Sequence, residues 1–373
     1  MIRNRTILTV ILWLAAGVTA PALCRDGIVD TAGPAGSGGW MGNLRDRVSF
    51  AGLVEWAAGY RSTACGDDCG ASVAGFRPTR AEAGVEVAVL GWIRAETVFL
   101  YEDPFGEEGP GLCLDTGTVT FGDSDRFPLY ASAGRMRSPY GILGTRFPDI
   151  PAVSQPLTQL LGETCNNAAL LGYSRAGLSL SGYLSSGGVK RTGGSASAAY
   201  GIDARYARPE NGLPGLVAGV SYISNIAGAA VSVECIGENA GAPQNPVRGL
   251  AATLTLDFRG FFLVAGYMTA LAEGDPAELA RPDGRGARPS AWDCETGYGW
   301  GRGRNLELVL RYAESDGTAA LGLPRKRYGF SLIQEIARGV AGSFAFVRDQ
   351  GHGGGIDGRQ SESALLLQVS VEF

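Results

Sequence analysis

Ten charged side chains alternate with apolar or small neighbours: Arg80, Glu82, Glu86, Arg94, Glu96, Asp203, Arg205, Asp257, Glu307 and Arg311. Side chains two apart on a strand share one face, so such residues can line a wetted surface of mixed sign. The chemistry this implies is guidance of hydrated polar or zwitterionic solutes, because strong selectivity for simple ions needs rings of one sign. The alternative for each residue is lateral pairing that stiffens the wall. Covalent chemistry is poorly supported. Ser–His hydrolysis needs a histidine beside its serine, and the only histidine, His352, lies in the stretch Gly351-His352-Gly353-Gly354-Gly355. That stretch and Gly301-Arg302-Gly303 lack the strand-to-helix setting of a phosphate loop and read as turns. No catalytic residue, cofactor or metal site is assigned, and an enzyme is not expected. Cys65-x₃-Cys69 has no second cysteine pair and no histidines at zinc spacing, so a disulfide staple between Cys65 and Cys69 is favoured over metal. Residues 102–111 carry Glu102, Asp103, Glu107 and Glu108, hard ligands for a divalent cation, although a solvated acidic loop is the favoured reading.

The elements that carry these residues read as strands. In Thr79–Leu90, Ala81, Ala83, Val85, Val87 and Val89 oppose Arg80, Glu82 and Glu86. At the C-terminus Leu365, Leu367, Val369, Val371 and Phe373 oppose Gln368, Ser370 and Glu372. The same pattern places strands at 47–60, 79–90, 92–101, 112–121, 129–136, 163–173, 178–184, 197–206, 214–224, 248–257, 261–270, 291–300, 304–313, 326–335, 340–349 and 363–373. Connections then alternate long and short. The long ones are 61–78, 102–111, 137–162, 185–196, 225–247, 271–290, 314–325 and 350–362; the short ones run from Gly91 to 336–339. A soluble sandwich has no reason to gather its long loops at one end, whereas a transmembrane barrel has tight turns at one rim and long loops at the other. In hydrocarbon only a closed cylinder of strands gives every backbone N–H and C=O a partner. The expected fold is therefore all-β, a transmembrane antiparallel β-barrel of about 16 strands, as that loop pattern requires. Trp56, Tyr60, Trp92, Tyr101, Tyr222, Tyr298, Trp300 and Tyr312 are placed to form its interfacial girdles. A barrel of this size leaves an aqueous lumen, so passage of solutes is the default expectation. In the longest connection, 137–162, Arg137, Tyr140, Arg146 and Phe147 are the constriction candidates should the loop fold inward; an outward surface loop is the equal alternative.

Composition sets the outer bounds. Among 373 residues there are 57 glycines without a Gly-X-Y period, which excludes a collagen-like chain. Arg3 and Arg5 precede the apolar stretch Ile7–Val18 and the small residues up to Ala22, which reads as a signal peptide over 1–22 cut after Ala22. A lipoprotein anchored at Cys24 is disfavoured by the bulk of Leu23. Residues 23–46 read as a short glycine-rich periplasmic segment and 47–373 as the barrel. The mature chain holds 30 basic against 37 acidic residues, with no nucleic-acid footprint.

The segments Glu82-Ala83-Gly84-Val85-Glu86, Ala95–Glu102, Phe127–Arg135, Ser138-Pro139-Tyr140-Gly141, Ser221–Ile226, and Leu321-Gly322-Leu323-Pro324 with Arg327-Tyr328-Gly329 occur in this order along the chain. Together they resemble the siderophore porin family typified by the legiobactin receptor. The closing Val369-x-Val371-Glu372-Phe373 looks like an outer-membrane assembly signal, with Phe373 as its terminal aromatic. The resemblance implies an outer-membrane barrel importing ferric siderophores without TonB. It carries no ligand motif, so the solute is less defined than the fold. Implied partners are the lipid bilayer and lipopolysaccharide, the barrel assembly machinery and a ferric siderophore; a homotrimer is compatible and nucleic acid is not expected. Two alternatives stand beside it: a general diffusion porin for small hydrophilic solutes, and a non-conducting barrel acting as adhesin or scaffold.

Overall fold

The computed structural model describes residues 47–65, 70–103, 110–123, 126–141, 144–151, 153–190, 196–209, 213–226, 245–281, 283–301, 304–352 and 359–373. The signal-peptide and 23–46 expectations lie outside these residues, as does Cys69 of the suggested disulfide. Sixteen antiparallel strands run in sequence order round a single closed sheet, β1 (Val48–Cys65) pairing with β16 (Arg359–Glu372). Between them come β2 (Gly70–Leu90), β3 (Ile93–Glu102), β4 (Gly111–Phe121), β5 (Leu129–Arg137), β6 (Cys165–Arg175), β7 (Leu178–Lys190), β8 (Ala196–Arg208) and β9 (Gly215–Ile223). The circuit is completed by β10 (Gly249–Phe258), β11 (Phe261–Ala270), β12 (Ser290–Trp300), β13 (Leu306–Asp316), β14 (Lys326–Ala337) and β15 (Val340–Gln350). One short helix, α1 (Leu157–Gly162), lies in the connection between β5 and β6. No helix among the described residues is long and apolar enough to cross a membrane.

The period-two pattern sorts residues as a barrel requires. On β16 Leu365, Leu367 and Val369 are 45%, 59% and 44% exposed, while Leu366 and Gln368 between them are buried. The lipid-facing wall carries aromatic rows near both rims. Phe261, Tyr298 and Trp300 pack together near the short turns, and Trp292, Tyr312 and Tyr328 near the long loops. The C-terminal strand closes the ring through backbone bonds between Gly52 and Phe373 in both directions.

Three expected loops are shorter than the sequence suggests. Residues 61–78 are mostly strand, as β1 and β2 continue past the wall as one hairpin, paired as far as Ala64 with Gly70. β7 and β8 likewise extend into 185–196, and β16 begins inside 350–362. The physical reason is that a ladder beyond the bilayer needs no apolar face. Segments such as Ser62-Thr63-Ala64 therefore pair without showing alternation. Inner polar contacts hold the extension: Arg61 donates to Glu362 at 2.6 Å and Arg77 to Asp103 at 3.3 Å.

Two inward tyrosines lie flat over glycines of the next strand, Tyr130 opposite Gly172 and Tyr183 opposite Gly201. A Cβ at either glycine would collide with the ring. Gly172→Val is therefore expected to destabilise the barrel by about 1–3 kcal/mol through overpacking. Loss of the folded band at lower temperature in heat-modifiability gels would check this, and an unchanged transition would contradict it.

Candidate functional site

The connection 138–164 does not lie outside the barrel. It enters the lumen from β5, crosses to the far wall and returns to β6, and its path can be followed from its bonds. The amide of Gly141 donates to Ser221 Oγ of β9 at 2.8 Å. Glu295 of β12, fully buried, then receives three groups of the loop: Thr145 Oγ1 at 2.6 Å, the Arg146 amide at 2.8 Å and the Phe147 amide at 3.3 Å. The Arg146 guanidinium donates to Glu307 of β13 at 3.0 Å and to Asp257 of β10, and stacks 4.3 Å from the Phe262 ring centroid. Asp257 also receives Arg304 at 2.6 Å. Arg311 of β13 pairs with Glu295, donates to the Ser154 carbonyl and lies 4.4 Å over the Phe147 ring. Further on, Arg327 of β14 is clamped by Asp349 and donates to the Gln155 carbonyl at 2.6 Å.

α1 is positioned by a carboxylate from the wall. Pro156 at its start has no side-chain cap to offer. Asp293 of β12, fully buried, accepts instead from the amides of Leu157 at 3.1 Å and Thr158 at 2.8 Å. Helix amides are unsatisfied at the first turn, so an anionic acceptor there both pairs them and meets the positive end of the helix.

Apolar packing completes the anchorage. Phe147, Ile150 and Val153 pack with Val264, Val309, Ala345, Val347 and Leu366 on the inner face of β11, β13, β15 and β16. Tyr140, Leu157 and Leu161 join Met268, Ala291, Ala313, Leu279 and Leu321 in a second cluster, which also brings in residues from the connections after β11 and β13. Of the two readings of this connection the inward one describes it, and the aqueous lumen is reduced accordingly. On the β9–β16 side the lumen is partly a packed core. Those inner wall positions are apolar because a loop, and not water, faces them.

What remains is a cavity of about 600 Å³ between the loop and the opposite wall, bounded by β1 to β5 and reaching the inner ends of β13 to β16. Its acidic lining residues are Glu55, Glu82, Glu86, Glu96, Asp115, Asp149, Glu163, Glu307, Glu335 and Glu372; its basic ones are Arg80, Arg94, Arg137, Arg146 and Arg304. Two ion pairs tie the loop across this space. Arg80 of β2 bridges Glu82 and, at 3.2 Å, Asp149 of the loop. Arg137 at the end of β5 bridges Asp115 at 3.0 Å and Glu163 at 2.7 Å.

The structure divides the ten charged positions singled out from the sequence. Arg80, Glu82, Glu86, Arg94, Glu96 and Glu307 border the cavity. Asp257 and Arg311 are buried in the loop anchorage, and Asp203 with Arg205 forms a buried pair at 3.5 Å along β8. Of the constriction candidates, Arg137 borders the cavity, while Tyr140, Arg146 and Phe147 are largely buried and act as anchors at its edge. Sequence reasoning missed Asp293, Glu295, Thr145, Ser154 and Arg327. A signal existed for Asp293 and Glu295, which flank Cys294 on β12 and alternate with it. Gly329 is also part of the seat, since a Cβ there would lie 2.9 Å from the Phe147 ring.

The remaining features are peripheral. His352 Nε2 lies 3.2 Å from Thr318 Oγ1 in the outer connections, where burial lowers its pKa below the usual histidine value. Cys113, Cys165 and Cys294 carry free thiols. No cluster of three or more metal-ligating side chains occurs among the described residues, and Asp103 of the acidic connection is engaged by Arg77.

No family model matches the chain. It is 25% identical over 289 residues to a UPF0422 protein of Coxiella burnetii, a match spanning 76% of this chain and 60% of that protein. It is 27% identical over 237 residues to a UPF0422 protein of Legionella pneumophila, spanning 58% of this chain and 42% of that one. The chain thus covers only part of the length of these relatives. Among solved structures it is similar to an anion-selective porin from Comamonas acidovorans, with a TM-score of 0.60, 14% identity, and coverage of 87% of this chain and 99% of that one. It is also similar to Pseudomonas putida OprB, with a TM-score of 0.58, 12% identity, and coverage of 89% and 96%. For Salmonella typhi OmpF the TM-score is 0.57 at 11% identity, with coverage of 87% and 97%. At such identities the likeness concerns the fold. The chain has the porin-like fold, a closed antiparallel barrel of 16 strands.

Proposed function

We propose that this barrel is an outer-membrane channel for small hydrophilic solutes, passing them between the inward loop and the β2–β5 wall. One observation carries the reading: a charged cavity of about 600 Å³ persists beside a loop packed against the β9–β16 side of the lumen. That volume lies within the roughly 300–1,000 Å³ typical of small-molecule sites. In this reading Arg80, Glu82, Glu86, Arg94, Glu96 and Glu307 meet the solute. Asp203, Arg205, Asp257 and Arg311 stiffen the wall or seat the loop. The signal peptide over 1–22 delivers the chain, Phe373 presents it to the barrel assembly machinery, and lipopolysaccharide surrounds the outer rim. The anion selectivity in the name of the Comamonas porin belongs to that barrel and is not transferred.

Uptake of ferric siderophores without TonB is the more specific form of this proposal, and it rests on the segments that resemble siderophore porins. A scaffold or adhesin role is the alternative of another class. Purified protein in planar bilayers is expected to show stepwise conductance, and folded protein that never conducts would discard the channel. Uptake of radiolabelled ferric siderophore by a deletion strain with and without the gene, compared with uptake of small sugars, decides between the specific and the general form.

A further inference from the structure

The cavity is lined by ten carboxylates and five guanidinium groups, and four of the five guanidinium groups are held in ion pairs. Arg80 is held by Glu82 and Asp149, Arg137 by Asp115 and Glu163, Arg146 by Glu307 and Asp257, and Arg304 by Asp257, which is itself outside the lining. Each of these guanidinium groups therefore meets permeating ions as one member of an ion pair. Arg94, the remaining one, interacts electrostatically with Glu86.

The carboxylates are not so fully matched. Glu86 and Glu96 stand directly opposite each other across β2 and β3, both bordering the cavity. Glu372, on the strand at the other side of Leu53 from the Arg80-paired Glu82, adds a further carboxylate to the lining. Like charges directly opposite in a sheet are destabilising, so Glu86 and Glu96 are poorly explained as reinforcement of the wall. In a narrow lumen with low-dielectric walls, fixed charge of one sign raises the local concentration of ions of the other.

We propose that the channel prefers cations, both inorganic monovalent ions and small organic solutes bearing an ammonium group, over anions. This rests on the channel reading above and deepens it by naming the solute class. The test is the reversal potential in a potassium chloride gradient across a planar bilayer. Wild-type protein is expected to reverse on the potassium side, with a permeability ratio of roughly three or more over chloride. Glu86→Gln combined with Glu96→Gln is expected to bring that ratio at least halfway towards one. A second measurement needs no variant. Raising salt from 0.1 to 1 M shrinks the Debye length from about 10 to about 3 Å, so a preference set by fixed charge should fall in the wild type. Conductance that reverses at zero or on the chloride side, or a preference unaffected by salt, overturns the cation proposal and leaves the channel standing. Folded protein without conductance overturns the channel reading, and the preference falls with it.

Discussion

Glu295→Ala is expected to raise single-channel conductance by roughly twofold or more, because it releases the loop that narrows the lumen. Glu295 is fully buried and is the acceptor for Thr145, for the amides of Arg146 and Phe147, and for Arg311. Alanine leaves two amides, a hydroxyl and a guanidinium without that partner in a site closed to water. Breaking a buried pair from one side costs about 3–5 kcal/mol, chiefly because the stranded charge stays buried. The loop can avoid the cost by leaving the wall, whereas the barrel cannot. The backbone of β12 remains paired with β11 and β13 on both sides, so the ladder does not depend on this side chain. The folded, heat-modifiable form should therefore survive while trypsin gains access to Arg146. Glu295→Gln keeps one acceptor oxygen and should give a smaller increase. A correctly folded Glu295→Ala protein with wild-type conductance would show that the loop is seated by other contacts.

That loop is also where the sequence becomes hardest to read. The outer wall is legible because its cause is local: Leu365, Leu367 and Val369 meet lipid, and nothing distant can change which way they point. The closed ladder follows from the same alternation and from the rule that hydrocarbon tolerates no unpaired strand edge. Loop anchorage has no such local signature. Arg146 lies 111 positions from Asp257 and 161 from Glu307, so no window of sequence contains the pair. Charge alone could not separate Glu86, which borders the cavity, from Asp257, which receives the loop, since both alternate correctly on their strands. A trace was nevertheless present. Phe261-Phe262-Leu263-Val264 is apolar on both faces, unlike Arg80 to Glu86 on β2. A strand apolar on both faces has something other than water on its inner side, and here that partner is Phe147 with its neighbours. The contrast between such strands and β2–β4 marks which half of the lumen the loop covers.

Placing a large side chain on the uncovered half should have the opposite effect to freeing the loop. Thr118 lies on β4 opposite Glu96 of β3 and borders the cavity. Thr118→Trp adds an indole to a passage of about 600 Å³ already narrowed on one side, so conductance is expected to fall by roughly half or more. The substitution retains β-propensity and has open space before it, so it should not prevent barrel assembly. Leu171→Trp on the lipid face, where Leu171 is 63% exposed, serves as the control and should leave conductance unchanged. If both variants conduct like the wild type, ions do not pass along the β2–β5 wall. Their route would then lie on the other side of the loop, where Phe147, Ile150 and Val153 now exclude water. The two substitutions act from opposite walls of one passage, so combining Thr118→Trp with Glu295→Ala gives the sharper result. A released loop leaves room around the indole, and the double variant should recover a conductance above that of Thr118→Trp alone.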